Sequence, residues 1–464
     1  MKIEVIDPVE CRVKRSFLSV IKPCLTYTGV YYRKERIPGT DKKRMARKEY
    51  PKDCIMSKDK EHVYFLRGHL DRVKQHLEHK NIKYEVDYSN HLHIPPKPYK
   101  LDGIKFRLDQ INLMNNAIKY QEQNGVILAP TGTGKTILQL GIRSAFPNHR
   151  TLLLAHTIDI VQQTVDEFIK FGFDDVQQIG GGKRYTGKFG HTVVSTIQSF
   201  KKIDMGDWMD VFPVLFIDEA HHVTKFDGNY ADVLRYILSP VKIGFTATLP
   251  TEEEKELALE GLIGPVVGEQ TINEATDLGI LAEPQIKLIK APYDGWVREQ
   301  KRYPDVYEQG IIQNEKRNRI IVDIIMKHKE RGDVSLIFVN RLEHGENLVA
   351  LFKEVGGCYV PFVRGDMKPV ERKNVKESLL SKKRKVAIAT TAWKEGINIP
   401  SLNVVFNAGG GKDELPVLQT IGRGLRRTDE KDKVIIYDIF DPSHNYLISH
   451  FGQRITLYMD NGWL

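Results

Sequence analysis

The sequence predicts an α/β chain: two parallel-sheet domains preceded by a small basic α+β module. Three observations carry that expectation. From about residue 124 onward, short buried-strand runs alternate with amphipathic stretches of helical period, a pattern that gives parallel sheets covered by helices. The alternation breaks near Glu274 and resumes near Ser335, which divides it into two domains. Residues 1–100 carry 23 Lys+Arg against 13 Asp+Glu, whereas the remaining 364 carry 46 against 47, so the positive excess lies wholly in the first hundred residues. At 464 residues, 41% of them hydrophobic, the chain exceeds what one core usually supports and has ample apolar content for two or three domains.

In the N-terminal module, residues 1–95, Thr26–Tyr32 and Val63–Leu66 read as strands, Leu70–His79 as a short helix and Ile82–Val86 as a closing strand. Between the first two strands runs Arg33–Lys48, a Pro-Gly turn followed by Lys42, Lys43, Arg44, Arg47 and Lys48, with Tyr27, Tyr31, Tyr32 and Tyr50 nearby. Such basic side chains neutralise phosphates while tyrosines stack on exposed bases. The same composition also suits a solvated hairpin tip above a small tyrosine core. Ile94-Pro-Pro-Lys-Pro98 reads as an extended linker to the next domain.

The first α/β domain, residues 101–273, opens with a phosphate loop: Ala129, Pro130, Thr131, Gly132, Thr133, Gly134, Lys135 and Thr136 follow the strand Gly125–Ala129 and precede the helix Ile137–Ala145. Gly132 and Gly134 let the backbone curl so that N–H groups face phosphate oxygens, Lys135 supplies a point charge, and the Thr136 hydroxyl suits Mg²⁺. Ala129 stands where the common pattern has glycine. Strand Thr151–His156, helix Ile158–Phe171, strand Thr192–Thr196, strand Val214–Ile217 and strand Lys242–Thr246 continue the alternation. The fourth of these runs into Asp218-Glu219-Ala220-His221, so two carboxylates emerge at the C-terminal end of a strand, where ligands sit in parallel sheets. Asp218 is suited to hold the Mg²⁺ water shell, and Glu219 to orient and deprotonate an attacking water.

After a transition over residues 274–332, the second α/β domain, residues 333–464, reads as strand Ser335–Asn340, helix Leu342–Val355, strands Lys385–Thr390 and Asn403–Asn407, helix Leu415–Leu425 and strand Val434–Phe440. No internal repeat links the two domains. The helix carries an arginine box, Gln419–Arg427 (QTIGRGLRR), and arginines so late in the chain suggest a second domain that reports on a γ-phosphate.

Taken in order, Arg107-Leu-Asp-Gln110, APTGTGKT, DEAH, Thr246-Ala-Thr248, Glu395-Gly-Ile-Asn398 and QTIGRGLRR resemble the motifs of the superfamily 2 helicases and translocases, over about residues 104–440. The resemblance implies two RecA-like lobes, ATP with Mg²⁺ as cofactors, and DNA as partner. By position it implies that Gln110 reads the adenine edge, that Thr246, Thr248 and Gln419 couple hydrolysis to domain movement, and that Arg423 and Arg426 approach the γ-phosphate, either being suited as the finger. It also implies that Thr196, Gln198, Ser199, Asn340, Arg341 and Thr391 track a nucleic-acid backbone, although Ser, Thr and Asn suit helix caps equally. The arginine box lacks the leading His of DEAD-box RNA helicases, which favours the DNA-acting branch. Ile311–Ile320, Val363–Arg372 and Trp393–Pro400 are similar to the repair-translocase and restriction-subunit group. With the basic N-terminal module, the chain most resembles phage UvsW-type recombination helicases, which remodel branched DNA such as forks and four-way junctions. An RNA helicase or an ATP-gated nucleic-acid-binding scaffold would carry the same motifs.

Cys11, Cys24, Cys54 and Cys358 form no CxxC or Cys/His ligand spacing, so reduced thiols are expected. The adjacent His221 and His222 do not share a helix face and make a poor metal pair. No run of eighteen apolar residues occurs and MKIEVIDPVE lacks a signal-peptide core, which leads to the expectation of a soluble, cytoplasmic protein, in the host cytoplasm if phage-encoded.

Overall fold

The computed structural model describes the chain except residues 37–42, 120–122, 391–392, 394–398, 412–426 and 428–430, and describes no side chains at 31–47 and 369. The chain falls into two compact units, residues 1–129 with 135–269 and residues 270–464 with 130–134.

The first unit begins with a four-stranded sheet, in the order β5-β2-β1-β6, formed by β1 (Lys2–Val5), β2 (Glu10–Lys14), β5 (His62–Leu66) and β6 (Glu85–Asp87). Alternation places Ile3, Val5, Cys11 and Val13 on one face, against Leu70, Val73 and Leu77 of α1 (Leu70–His79). The closing strand is shorter than the Ile82–Val86 expected, and pairs parallel with β1. Between β2 and β5, β3 (Thr26–Arg36) and β4 (Lys43–Asp53) form a separate antiparallel ribbon, in register from Thr26↔Asp53 to Arg36↔Lys43. Eleven residues per strand make it roughly 35 Å long. Tyr27, expected among base-stacking residues, is buried at the ribbon's foot, 5.8 Å from the ring of Phe226, whereas Tyr50 is exposed.

This module is built onto the domain that follows. A Cβ on Gly68 would lie 1.9 Å from the carbonyl oxygen of Glu260, so only glycine permits the contact with α5 (Glu253–Leu262). Beside it His69 Nε2 donates to Leu257 O at 2.9 Å, and Arg72 binds Glu260 Oε2 at 2.6 Å. The stretch Ile94–Pro98 is a strap rather than a linker. Ile94 exchanges two hydrogen bonds with the Gln123 side chain, at 2.9 and 2.8 Å, and Lys97 N–H donates to Ala145 O.

Burial lowers the His69 pKa to about 4, so the ring is neutral in the fold. Unfolded, it takes up a proton below its ordinary value near 6.5. Stability associated with this contact is therefore complete at neutral pH and is lost as pH falls from about 6.5 to 4, by on the order of 3 kcal/mol. Urea midpoints measured across that window should fall for the wild type, and His69→Gln should flatten the dependence; parallel curves would refute the assignment.

The first α/β domain is a seven-stranded, all-parallel sheet in the order β13-β7-β12-β11-β8-β10-β9. Its strands are β7 (Asn124–Leu128), β8 (Thr151–Ala155), β9 (Val176–Ile179), β10 (Thr192–Thr196), β11 (Val214–Asp218), β12 (Val241–Thr246) and β13 (Val266–Glu269). Leu153, Val194, Phe216 and Ile243 enter one core, and Leu152, Leu154, Val193 and Leu215 the other. Burial on both faces explains the unbroken apolar runs. The helices α2 (Leu108–Ile118), α3 (Lys135–Ala145) and α4 (Ile158–Lys170) lie between or before these strands in the chain.

The second unit holds a six-stranded parallel sheet in the order β14-β19-β18-β15-β17-β16. Its strands are β14 (Glu283–Lys290), β15 (Val334–Val339), β16 (Phe362–Val363), β17 (Val386–Thr390), β18 (Leu402–Asn407) and β19 (Lys433–Phe440). β14 pairs with β19 over its whole length, so the part of the expected transition, 274–332, that spans Glu283–Lys290 belongs to this sheet. Its aliphatic residues, Ile286, Leu288 and Ile289, break strict alternation, and Lys287, Leu288 and Lys290 are exposed, an edge-strand pattern easily missed. The longest helices of the unit as described are α6 (Glu315–Glu330), α7 (Leu342–Gly356) and α8 (Asn445–Asp460), the last beyond the final strand expected. The helix expected at Leu415–Leu425 lies outside the described residues. Among the described residues no helix is long and apolar enough to cross a membrane.

Candidate active site

The phosphate loop joins β7 to α3. Gly132 and Gly134 adopt φ of +96° and +99°, a region that L side chains rarely enter, so glycine is required at both turns. Thr133 Oγ1 donates to Pro130 O at 2.8 Å and staples the curl, while Ala129 N–H is tied to Thr246 O at the end of β12. Lys135 is the first residue of α3, two residues earlier than the sequence pattern placed the helix start. Its Nζ lies 3.4 Å from Ala129 O.

β11 ends in Asp218. Its Oδ1 accepts from Gln139 Nε2 at 3.2 Å, a partner one turn into α3 that sequence reasoning missed. Burial, and then the neighbouring Glu219, raise the Asp218 pKa to about 6, with Lys135 opposing. Such a crowded carboxyl is suited to a divalent cation, whose charge would relieve the repulsion. The oxygen donors of Asp218 and Thr136 match the hard-ligand preference of Mg²⁺.

Glu219 sits at φ 48°, ψ 53°, a left-handed conformation uncommon for a non-glycine residue, and is buried. His221 Nδ1 lies 3.4 Å from Glu219 Oε2 and 2.9 Å from Thr246 Oγ1. The Thr246 hydroxyl proton goes to Thr248 O at 2.9 Å, so the hydroxyl accepts from His221, which assigns the ring proton to Nδ1. Hydrogen bonds thus link His221, Thr246 and Thr248 in a polar chain, and Glu219 Oε2 lies beside its first member at 3.4 Å without taking the ring proton. Both threonines were anticipated as coupling residues; His221 as the link between them and Glu219 was not, because 25 residues separate it from Thr246.

The remaining candidates are more scattered. Gln110 is buried and its Oε1 accepts Arg107 N–H at 3.2 Å, capping α2. Thr196 Oγ1 bonds both Ser199 Oγ and Ser199 N–H, capping the short helix Ile197–Phe200. Gln198 lines a cleft with His156, His222 and Asn229. In the second unit Asn340 Nδ2 reaches Gly409 O at 3.4 Å, and Arg341 is exposed at the start of α7. Lys43, Arg44 and Arg47 lie on β4 without described side chains, and Lys48 is exposed. Lys42, Thr391, Gln419, Arg423 and Arg426 lie outside the described residues.

Two family models match the chain: Type III restriction enzyme, res subunit, over residues 103–251, and Helicase conserved C-terminal domain, over residues 316–428. The chain is 25% identical over 412 residues to the DNA 3'-5' translocase XPB2 of Sulfurisphaera tokodaii, covering 81% of this chain and 90% of that protein. It is likewise 25% identical over 365 residues to the ATP-dependent DNA helicase uvsW of Enterobacteria phage T4, covering 72% of each. Among solved structures, the ATP-dependent Type ISP restriction-modification enzyme LlaBIII bound to DNA shares the fold, with a TM-score of 0.59 at 15% identity over 83% of this chain and 32% of that one.

Proposed function

Since the chain belongs to the superfamily 2 helicases and translocases, ATP-dependent motors with DNA-acting relatives, we propose that it remodels branched DNA, moving forks or four-way junctions by ATP-driven translocation in the cytoplasm. The observation that carries this reading is the mounting of the basic module on the first α/β domain through Gly68, His69 and Arg72. A domain that holds the chain's positive excess and forms one compact unit with the first α/β domain is suited to grip a duplex arm while the motor pulls a strand. The uvsW relative is named a DNA helicase, which supports the same class of substrate.

In this reading Lys135 neutralises the β- and γ-phosphates and the loop amides orient them. Thr136 and Asp218 would hold Mg²⁺, which supplies charge neutralisation when bound. Glu219 orients the attacking water and takes its proton; His221 then conveys the change in Glu219 to Thr246 and Thr248 through the polar chain described. Arg423 and Arg426 stabilise charge developing on the γ-phosphoryl group. Phosphate contacts from the lobes would position the strand without reading its sequence, as a translocase requires.

ATPase stimulation by single-stranded, duplex, forked and four-way DNA, and by RNA, tests the proposal. Branched DNA should stimulate most, and a preference for RNA or for plain single strands would overturn it. Reversing charge at Lys42, Lys43, Arg44, Arg47 and Lys48 should weaken binding to forks and junctions more than to single strands. It should also flatten the salt dependence by up to roughly 0.9 log unit per lost phosphate contact. Unchanged salt slope and unchanged branch preference would return junction recognition to the lobes.

A further inference from the structure

Between β14 and α6 the chain builds a small body of its own, from the short helices Gly295–Arg298 and Tyr303–Tyr307 and the π turn Glu308–Ile312. Val297, Val306, Tyr307, Ile311 and Ile312 close it around Leu447 of α8. Hydrogen bonds fasten it to the carboxyl ends of the second sheet. Tyr307 Oη donates to Gly409 O at 2.6 Å, just past the end of β18, and Asp294 N–H donates to Ser443 Oγ at 2.8 Å, just past the end of β19. Asn340 Nδ2, at the end of β15, lies 3.4 Å from the same Gly409 oxygen. Carboxyl ends of parallel strands are where such sheets bind ligands.

Outwardly this body is aromatic. Trp296 is 64% exposed and Tyr293 55%, while the aliphatic residues Val297, Val306, Ile311 and Ile312 are buried. The turn that carries the indole is fixed: Asp294 Oδ1 accepts Trp296 N–H at 3.0 Å, and Trp296 O accepts from Gln300 Nε2 at 3.3 Å. Burial of Val297 in that turn therefore leaves its neighbour's ring outside. Arg298 Nη1 donates to Tyr293 Oη at 3.2 Å, which adds a guanidinium to the two rings. Arg302 is held by Asp305 at 2.7 Å, whereas among the described residues no carboxylate pairs with Arg298.

A specific protein interface buries upwards of about 1,000 Å², far more than two rings supply. Flat π faces beside a guanidinium without a carboxylate instead match a single nucleic-acid strand, whose bases stack on aromatic side chains and whose phosphates pair with cations. We infer that Tyr293, Trp296 and Arg298 form a binding site for an unstacked nucleotide of single-stranded DNA, its base against the indole and its phosphate on Arg298. This inference rests on the reading of the chain as a motor that acts on branched DNA, and it adds a site that tells opened strands from paired ones. Bases inside a continuous duplex are stacked on one another and present no face to the ring.

The test is equilibrium binding of the full chain to labelled oligo-dT, to an abasic strand of the same length and to blunt duplex. Trp296→Ala should weaken oligo-dT binding about tenfold, and Trp296→Phe, which keeps a ring, less than about threefold. For the abasic strand and the duplex, which offer no free base, Trp296→Ala should stay within about twofold of the wild type. Arg298→Gln should flatten the salt dependence of oligo-dT binding by about 0.7 log unit, the value of one phosphate contact on a single strand. Unchanged oligo-dT affinity in Trp296→Ala would overturn the inference and leave the rings to a protein partner, and an equal loss on the abasic strand or the duplex would overturn it as well. Wild-type protein that binds neither oligo-dT nor forked DNA would instead refute the reading on which it rests.

Discussion

Replacing Lys135 with alanine is expected to lower steady-state ATP hydrolysis by on the order of 10³ or more while leaving much of the DNA affinity intact. Lys135 is the cation identified opposite Asp218, whose carboxyl it already restrains. Its Nζ rests on Ala129 O at 3.4 Å, a weak contact easily exchanged for a phosphate oxygen. Nothing in the glycine turns depends on it, since Gly132 and Gly134 take their φ angles from the backbone and Thr133 staples the loop to Pro130. The fold should therefore survive, and ATPase assays beside a DNA-binding titration separate the two effects. Near wild-type hydrolysis would remove the nucleotide-site assignment.

Glu219→Gln should be nearly as damaging to turnover, by roughly 10² to 10⁴, while ATP binding is retained. Glutamine can occupy the left-handed position and keep an oxygen beside His221, whose Nδ1 proton goes to Thr246, so the hydrogen bonds from His221 to Thr246 and Thr248 are preserved. It cannot take a proton from water. Glu219 also helps to raise the Asp218 pKa to about 6. Removing its charge lowers that pKa, so Asp218 is ionised over a wider range and Mg²⁺-dependent ATP affinity should hold or increase. Equilibrium binding with a fluorescent ATP analogue, read beside kcat, decides the matter. Loss of ATP affinity with kcat retained would mean that Glu219 holds the metal and that the two carboxylate roles are exchanged.

Elements with a strong local signature were legible. Leu70–His79 and Thr192–Thr196 have the bounds that their apolar spacing indicates, and the strands under the phosphate loop and the paired carboxylates differ by a residue or so. Missed elements were short or at an edge: β1 and β2 are four and five residues long, and β14 is an edge strand whose alternation breaks at Leu288. At the site, motif position identified Lys135, Asp218, Glu219 and Thr246 as a group. Gln139 was passed over because a glutamine inside a helix carries no signal of its own, and the roles of Thr196 and Ser199 stayed open because a cap and a phosphate contact ask for the same side chains.

Sequence by itself determined the α/β class, the order of the motifs and the separate basic character of the first hundred residues, since periodicity, glycine spacing and charge are all local properties. Tertiary structure alone decided that the module is part of the first unit, that Ile94–Pro98 straps rather than links, and that His221 lies between Glu219 and Thr246. It also decided that the body carrying Trp296 is fastened to the carboxyl ends of β18 and β19. The contacts responsible join residues far apart in the chain, 188 for His69 with Leu257 and 102 for Tyr307 with Gly409. Such pairs are selected by the packing of whole elements, which brings buried donors to buried acceptors, and no window of sequence contains both partners.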